Sequence, residues 1–169
     1  AAATDLGGAV TGVLRTWLDA AGRGKAPIDE PRRAMGLLLG NAVRFGPHHD
    51  VMAAGEGIET ILSLRMALPV MPMMAALSAA HLSALQFPSM LKRLYIARDP
   101  DPAGDSAVAT LTARAEAVGI ETIPLSARLS DFNDDLRAFG LNYVRAIARP
   151  QLTPEDVARF LLPATHRSS

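Results

Sequence analysis

Residues 94–104 read LYIARDPDPAG, and this stretch decides the predicted fold. The apolar run Leu94 to Ala97 predicts a buried strand, and Pro102 predicts a helix that begins directly after Asp101. Asp99 and Asp101 therefore leave the end of a strand on the same side of a tight loop. Magnesium takes oxygen ligands, and carboxylates this close repel each other unless a cation neutralises them. The stretch thus indicates a strand, a metal-binding loop and a helix.

A second acidic turn lies earlier in the chain, where residues 51–57 read VMAAGEG. Val51 to Gly55 predicts a short, all-apolar strand that ends at Glu56. Ile58 to Leu68 predicts a helix with one apolar stripe, and a proline stops it. Gly57 is expected to let the chain turn into this helix with its backbone close to the acidic group.

Apolar strands alternate with helical segments through the rest of the chain. Such alternation predicts an α/β fold with a parallel four-stranded sheet and helices on both faces. The strands are predicted at 51–55, 73–77, 94–97 and 120–125, and the helices at 58–68, 78–85, 102–118, 131–139 and 141–148, with a last helix after Thr153. Since the carboxyl ends of parallel strands share one edge, we expect Glu56, Asp99, Asp101 and Asp131 to meet there.

The first part of the chain differs in composition. Residues 1–49 carry six basic and four acidic residues, and they predict a small basic subdomain that contains a β-hairpin. We expect a strand over 9–19, a turn over 20–24, a returning strand over 25–28, a loop over 29–33 and a short strand over 41–45. The linker over 46–50 predicts a boundary between this subdomain, 1–49, and the main domain, 50–141. Residues 142–169 are predicted to form a C-terminal helical extension.

Composition excludes several classes of protein. The 17 basic and 17 acidic residues balance, which excludes a globally basic nucleic-acid coat, and the lack of cysteine excludes disulfides and Cys-ligated zinc within this chain. The longest apolar stretch, 66–77, is interrupted by Pro69 and Pro72 and is too short to span a bilayer. The start carries Asp5 and no basic region, so we expect a cytoplasmic protein without a signal peptide. Because the first residue is Ala1, we expect a processed chain or an excised fragment.

The Glu-Gly turn at Glu56 and the Asp-x-Asp-x-x-Gly turn from Asp99 to Gly104, in this order, resemble the Toprim domain. Topoisomerases, bacterial-type primases and some nucleases share this domain, and the resemblance covers residues 51–141. It implies a Rossmann-like fold in which Asp99 and Asp101 hold Mg²⁺ or Mn²⁺. It further implies that Glu56 is a metal ligand or the acid–base group, and that Asp131 is a candidate ligand to a second ion. Gly104 is expected to allow close helix packing.

The basic part carries a further resemblance. Residues 11–19, TGVLRTWLD, with the following glycine turn and Lys25, are similar to the segment that precedes Toprim in plasmid- and phage-type primases. The resemblance implies contacts to nucleotide or template, for which the candidates are Arg15, Lys25, Arg32 and Arg33. Arg98 either pairs with an acidic neighbour or reaches a substrate phosphate. We interpret Trp17 as hairpin core rather than a base-stacking platform.

The resemblance favours a primase-type enzyme that synthesises primers on single-stranded DNA from nucleoside triphosphates by metal-dependent nucleotidyl transfer. A small nuclease with the same acidic site and a non-catalytic module that binds nucleic acid or a partner remain alternatives. A topoisomerase is disfavoured because Tyr95 is expected in the core. The family implies a zinc-binding module and a helicase partner outside this chain, and no membrane. Asp134 and Asp135, which follow Asp131, are interpreted as solvated.

Overall fold

The structure, a computed structural model, describes residues 1–161. It contains eight strands and six helices in this part of the chain, together with one 3₁₀ turn at Arg149–Gln151. The strands are β1 (Ala2–Thr4), β2 (Val10–Thr16), β3 (Arg32–Gly36), β4 (Val43–Phe45), β5 (Val51–Gly55), β6 (Met73–Ala75), β7 (Arg93–Arg98) and β8 (Glu121–Ser126). The helices are α1 (Ile58–Ala67), α2 (Ala79–Ser83), α3 (Pro102–Glu116), α4 (Phe132–Phe139), α5 (Leu141–Ala148) and α6 (Pro154–Phe160).

The main sheet has the strand order β4-β6-β5-β7-β8. The four strands β5 to β8 run parallel, as the alternating pattern predicts, and β4, which was predicted as part of the N-terminal subdomain, adds an antiparallel edge strand to them. In the register, Gly55 lies beside both Ala75 and Ala97, and Ala97 lies beside Leu125. The four parallel strands therefore end at the same level, and the residues that follow them share one edge.

The core fills both faces of this sheet. Side chains of α1, α4 and α5 cover one face, where Ile61, Leu64 and Phe132 are fully buried. Side chains of α2 and α3 cover the other face, where Leu82 and Leu111 are buried. Strands buried on both faces need apolar residues at every position, which explains the continuous apolar runs of β5 and β6. The edge strand β8, in which only Leu125 is buried, has a mixed sequence. Each fully buried side chain of this size contributes about 1.5–3 kcal/mol to stability.

The N-terminal sheet has the order β1-β2-β3 and is antiparallel. Strand β2 lies within the predicted strand 9–19, but the returning strand predicted at 25–28 is wrong. The partner of β2 is β3, which starts in the predicted loop 29–33, and only a single bridge joins Leu18 to Lys25. Pro27 has no N–H to donate to a ladder, and the continuous ladder with β2 starts only after Pro31.

Strand β4 ties the two sheets together. The strand predicted over 41–45 forms, but it pairs with β6 of the main sheet, and Thr4 of the N-terminal part bridges to Ala42. Of the predicted C-terminal extension, α5 and α6 are present, and residues 162–169 lie outside the described residues. No helix within residues 1–161 is long and apolar enough to cross a membrane.

Candidate active site

Four carboxylates lie at the carboxyl edge of the main sheet. Glu56 follows β5, Asp99 and Asp101 follow β7, and Asp131 follows β8. Burial raises the pKa of Asp99, and the negative charges of Asp131 and Asp101 raise it further. Burial, followed by the charges of Asp99 and Asp101, likewise raises the pKa of Glu56. The structure thus brings the four predicted acidic residues into one electrostatically coupled group.

Asp99 is the group's most unusual member. Its Oδ1 atom is buried and has no hydrogen-bond partner within residues 1–161. A buried carboxylate oxygen without a partner is costly, because the charge has lost water and gained nothing in return. A cation at this position would remove that cost, so the oxygen fits a metal ligand.

Asp101 and Gly104 shape the start of α3. Asp101 is the N-cap, and its Oδ1 accepts a hydrogen bond from the Gly104 N–H at 2.7 Å. A Cβ atom on Gly104 would lie 2.3 Å from the carbonyl oxygen of Asp99, closer than any real contact. Glycine at this position therefore lets the first turn of the helix pack directly against the acidic loop, as the sequence predicts.

Asp131 has structural partners for both oxygens. Its Oδ1 accepts from the Asp134 N–H at 2.7 Å, which caps α4, and its Oδ2 accepts from the Thr60 hydroxyl at 2.8 Å. Asp135, interpreted from the sequence as solvated, is instead fully buried and accepts the N–H groups of Arg128 and Leu129 at 2.8 and 3.0 Å. These bonds fix the loop between β8 and α4 beside α1.

The donor set fits a hard divalent ion that keeps part of its water shell. No group of three or more acidic or histidine side chains in the described part of the chain is arranged to hold a metal ion by itself. Magnesium does not require such a cage, because it is usually bound by one or two carboxylates, water and substrate phosphates. Asp99 and Asp101, with Glu56 beside them, supply ligands of this kind.

The N-terminal sheet covers one side of the acidic edge. Between them lies a cavity of about 270 Å³, lined by Leu14, Thr16 and Arg32 of the sheet and by Glu56 of the main domain. The Arg32 Nη2 donates to Glu59 Oε1 at 2.7 Å across this junction. Of the predicted basic residues, Arg32 is therefore the one that lines the cavity.

The other predicted basic residues lie elsewhere. Arg15 and Arg33 are cross-strand partners, and Lys25 is exposed beyond the end of the ladder. Arg98 forms an ion pair with Asp105 at the surface. The interpretation of Trp17 as hairpin core is wrong, because its side chain is 38% exposed.

Sequence reasoning missed the backbone conformation of Leu77, which lies two residues after the end of β6. Its φ of 81° is the only positive φ of a non-glycine residue in the described part of the chain. Such a conformation costs about 1–2 kcal/mol for an ordinary L-residue, and such strain gathers at functional sites. The Leu77 N–H donates to the Glu56 carbonyl at 2.8 Å, and its side chain lines the same cavity. Nothing in the apolar sequence around Leu77 signals this backbone conformation.

Comparison with known proteins gives two family matches. The Toprim domain matches residues 51–142, and a domain of unknown function (DUF7146) matches residues 1–45. No curated protein matches the chain significantly.

Solved structures of primases share the fold. The primase fragment of the bacteriophage T7 primase–helicase protein aligns with a TM-score of 0.63 at 14% identity, over 89% of this chain and 61% of that one. The zinc-binding and RNA polymerase domains of Aquifex aeolicus primase align with a TM-score of 0.56 at 17% identity, over 94% of this chain and 41% of that one. A DNA primase domain from Pseudomonas aeruginosa aligns with a TM-score of 0.58 at 16% identity, over 89% of this chain and 50% of that one.

This chain spans only about half the length of those primase structures, and the low identities show a common fold alone. The Toprim match, by contrast, extends over more than half of the 169 residues, from β5 into α5, and includes the ends of β5, β7 and β8 that carry the four carboxylates. The chain therefore belongs to the Toprim domain family.

Proposed function

We propose that this chain is a metal-dependent nucleotidyl-transfer core of the primase type, which synthesises primers on single-stranded DNA. The observation that carries the proposal is the buried, unpartnered Oδ1 of Asp99 within the group of four carboxylates. The cavity beside Glu56 and the cation of Arg32 at its wall support it, because a nucleotide needs an apolar surface and a phosphate contact. The fold shared with primase fragments is consistent with this function.

Asp99, Asp101 and Glu56 would hold Mg²⁺ or Mn²⁺ in this proposal. A bound divalent ion neutralises developing charge on the transferred phosphate and on the leaving pyrophosphate. Asp101 keeps its loop conformation through the cap on Gly104 and therefore presents its carboxylate without further ordering. Asp131 contributes by fixing the neighbouring loop through Thr60.

Arg32 would bind a phosphate of the incoming nucleotide. Its ion pair with Glu59 is exposed on both sides, with 39% and 54% of the two side chains accessible. Exposed pairs of this kind contribute only about 0–1 kcal/mol, so a phosphate with more negative charge can replace the glutamate. Leu14 and Leu77 line the cavity behind Arg32 and offer an apolar surface to the base.

Glu56 would act on the proton of the attacking hydroxyl group if it does not ligate the ion. Burial and the neighbouring charges raise its pKa, which moves the carboxylate toward the range where it accepts and returns protons efficiently. The hydrogen bond from the Leu77 N–H to the Glu56 carbonyl holds the backbone that carries this group.

A primer-extension assay tests the proposal. The chain is incubated with single-stranded DNA carrying an annealed primer, labelled nucleoside triphosphates and Mg²⁺ or Mn²⁺, so that initiation by a separate zinc-binding module is not required. We expect wild-type extension, a loss of roughly 100-fold or more in Glu56→Gln and Asp99→Asn, and full activity in the control Glu116→Gln. Glu116 lies exposed at the other end of α3.

Two outcomes would contradict the proposal. Equal products from wild type and Asp99→Asn would show that the acidic edge is not the active site. Shortened template instead of extended primer, lost in the same variants, would show a nuclease. A separate measurement tests whether the acidic edge binds an ion: Mg²⁺ is added to the wild type, and the rise in melting temperature reports metal binding.

A further inference from the structure

A hollow at the amino edge of the main sheet lies outside the proposed active site. It has a volume of about 430 Å³, and its lining includes Leu91 and Ile120, which lie just before β7 and β8, and Leu6 of the N-terminal part. The six residues of β7 separate this hollow from the acidic edge by roughly 20 Å, since each strand residue advances the chain by about 3.3 Å. Hollows of about 300–1,000 Å³ at the junction of two structural units are common binding sites for small molecules.

The walls of this amino-edge hollow are mainly apolar. Leu91, Ile120 and Pro88 are buried, and Phe87 is partly buried. Val118 also lines the hollow and is 65% exposed, so it marks the mouth where the hollow meets solvent. An apolar ligand in this position would remove these surfaces and its own surface from water, which favours binding.

Arg114 brings a positive charge to this lining, and its guanidinium group is held in place. Its Nη1 donates to the carbonyl oxygens of Ser83 and Leu85 at 2.6 and 3.0 Å. Its guanidinium carbon also lies 5.2 Å from the ring centroid of Phe87. The group therefore cannot turn away from the hollow without losing two hydrogen bonds and the contact with the ring.

The charge of Arg114 is not neutralised by the part of the chain that the structure describes. Arg114 forms no ion pair within residues 1–161, and its Nε and Nη2 make no hydrogen bond there. The described residues that line the hollow include no acidic side chain, and Gln86 and Ser89 add neutral polar groups. A cation that is oriented but unpaired can bind an anion without first breaking an ion pair, which lowers the cost of binding.

We propose that the amino-edge hollow binds a small amphipathic anion, namely an aromatic carboxylate or sulfonate. Its aromatic body would pack against Phe87 and Ile120, and its anionic group would accept hydrogen bonds from Nε and Nη2 of Arg114. Because Leu6 belongs to the N-terminal part and the other walls belong to the main domain, the bound ligand would bridge the two. This site goes beyond the proposed function and requires no catalysis.

Two fluorescent probes that differ only in charge test this proposal. Anilinonaphthalene sulfonate and phenylnaphthylamine share one aromatic skeleton, and only the first carries an anionic group. Both become strongly fluorescent when they leave water, so each can be titrated into the full chain directly. We expect saturable binding at one site, with the sulfonate bound roughly 10-fold more tightly than the neutral probe, because Arg114 adds charge-assisted hydrogen bonds to the same apolar contact.

Arg114→Gln should abolish the preference for the sulfonate and leave the affinity for the neutral probe nearly unchanged. The glutamine amide can still donate to the carbonyl oxygens that Arg114 contacts, but it carries no charge. Arg137→Gln is the matched control, because Arg137 is exposed on α4, which packs on the opposite face of the sheet. Structural damage around Arg114 would weaken the binding of both probes and would not change their ratio.

Val118→Phe tests the hollow without a change at Arg114. A larger side chain at the mouth should obstruct entry and weaken both probes equally, whereas Val70→Phe, at an exposed turn after α1, should have no effect. Hydrogen exchange gives an independent location for the bound probe. Leu6 lies in a turn closed by hydrogen bonds between Asp5 and Ala9, and contact with the probe should slow amide exchange in this turn.

Several results would overturn the proposal. Equal affinities of the two probes for the wild type would show that the site does not select an anion, and absence of saturable binding would show that there is no site. Loss of sulfonate binding in Arg32→Gln, with Arg114→Gln unaffected, would place the probe in the cavity at the acidic edge. The variant Asp99→Asn separates this proposal from the proposed function, because it should lose primer extension and bind both probes as the wild type does.

Discussion

Replacing Gly104 with alanine tests whether the close contact between α3 and the acidic loop determines activity. The added Cβ would lie 2.3 Å from the Asp99 carbonyl oxygen, so the helix or the loop must move by roughly 1 Å to reach an ordinary contact distance. Overpacking against backbone costs about 1–3 kcal/mol. Alanine also favours the helix over glycine by about 1 kcal/mol, and the expected net loss is about 1 kcal/mol.

The effect on activity should be larger than the effect on stability. Moving the loop by this distance displaces the Asp99 carboxylate and weakens the Asp101 cap on the residue 104 N–H. A misplacement of about 1 Å at a reacting centre can reduce the rate by roughly 100-fold. Thermal melting should show a decrease of about 2–4 °C, and the primer-extension assay should show a nearly complete loss.

Gly24→Ala is the matched control, because a Cβ at Gly24 meets no atom within 4 Å. Its melting temperature and activity should both equal those of the wild type. If Gly104→Ala were instead more stable than the wild type and fully active, helix propensity alone would decide this position. The argument that Gly104 permits a functionally required contact would then be wrong.

Three further changes probe other parts of the structure. Asp99→Asn should raise the melting temperature of the metal-free protein at neutral pH. The pKa of Asp99 in the folded protein lies above its ordinary value of 3.8, so the wild type loses stability as the pH rises from 3.8 through the raised pKa, and asparagine removes this loss. If wild type and variant showed the same dependence of melting temperature on pH in EDTA, this reasoning would be wrong. Thr60→Val leaves Asp131 Oδ2 without its donor and should lower the free energy of unfolding by about 1–3 kcal/mol in urea titrations, whereas a neutral result would mean that water replaces the hydroxyl. Tyr95→Phe removes a 2.7 Å hydrogen bond to the buried Asp156 and should cost about 1–2 kcal/mol with activity per folded molecule retained, since the contact lies away from the acidic edge; loss of activity without loss of stability would refute this.

The main sheet was predictable because its signals are local. Strands β5 and β6 and the centre of β7 are apolar runs of a few residues, and Glu56 and Asp99 each directly follow the end of a strand. Once the strands are parallel, their common edge follows from geometry, and the sequence alone could place these carboxylates together. The unpartnered oxygen of Asp99 could not be predicted, because it depends on which side chains surround it.

The N-terminal sheet was predictable only in part, because its pairing is not local. Residues 32–36 contain two arginines, a glycine and little apolar surface, and nothing in them resembles a strand until β2 lies alongside. The short strand β1 gives even less signal. The burial of Asp135 likewise depends on which face of α4 packs against the loop between β8 and α4. The sequence of adjacent aspartates does not show which of them lies on that face.

The pairing of β4 with β6 limits how segments of this protein can be exchanged in evolution or in the laboratory. The two family matches end and begin on either side of residues 46–50, as if two interchangeable modules met there. Strand β4 lies before that point and yet completes the sheet that begins after it. A chimera joined at this linker inherits β4 from the donor of the N-terminal part. The edge of β6 would then be covered only if the donor's strand pairs with Met73–Ala75. A donor strand that does not pair would leave the N–H and C=O groups of β6 unpaired, and such an edge promotes aggregation.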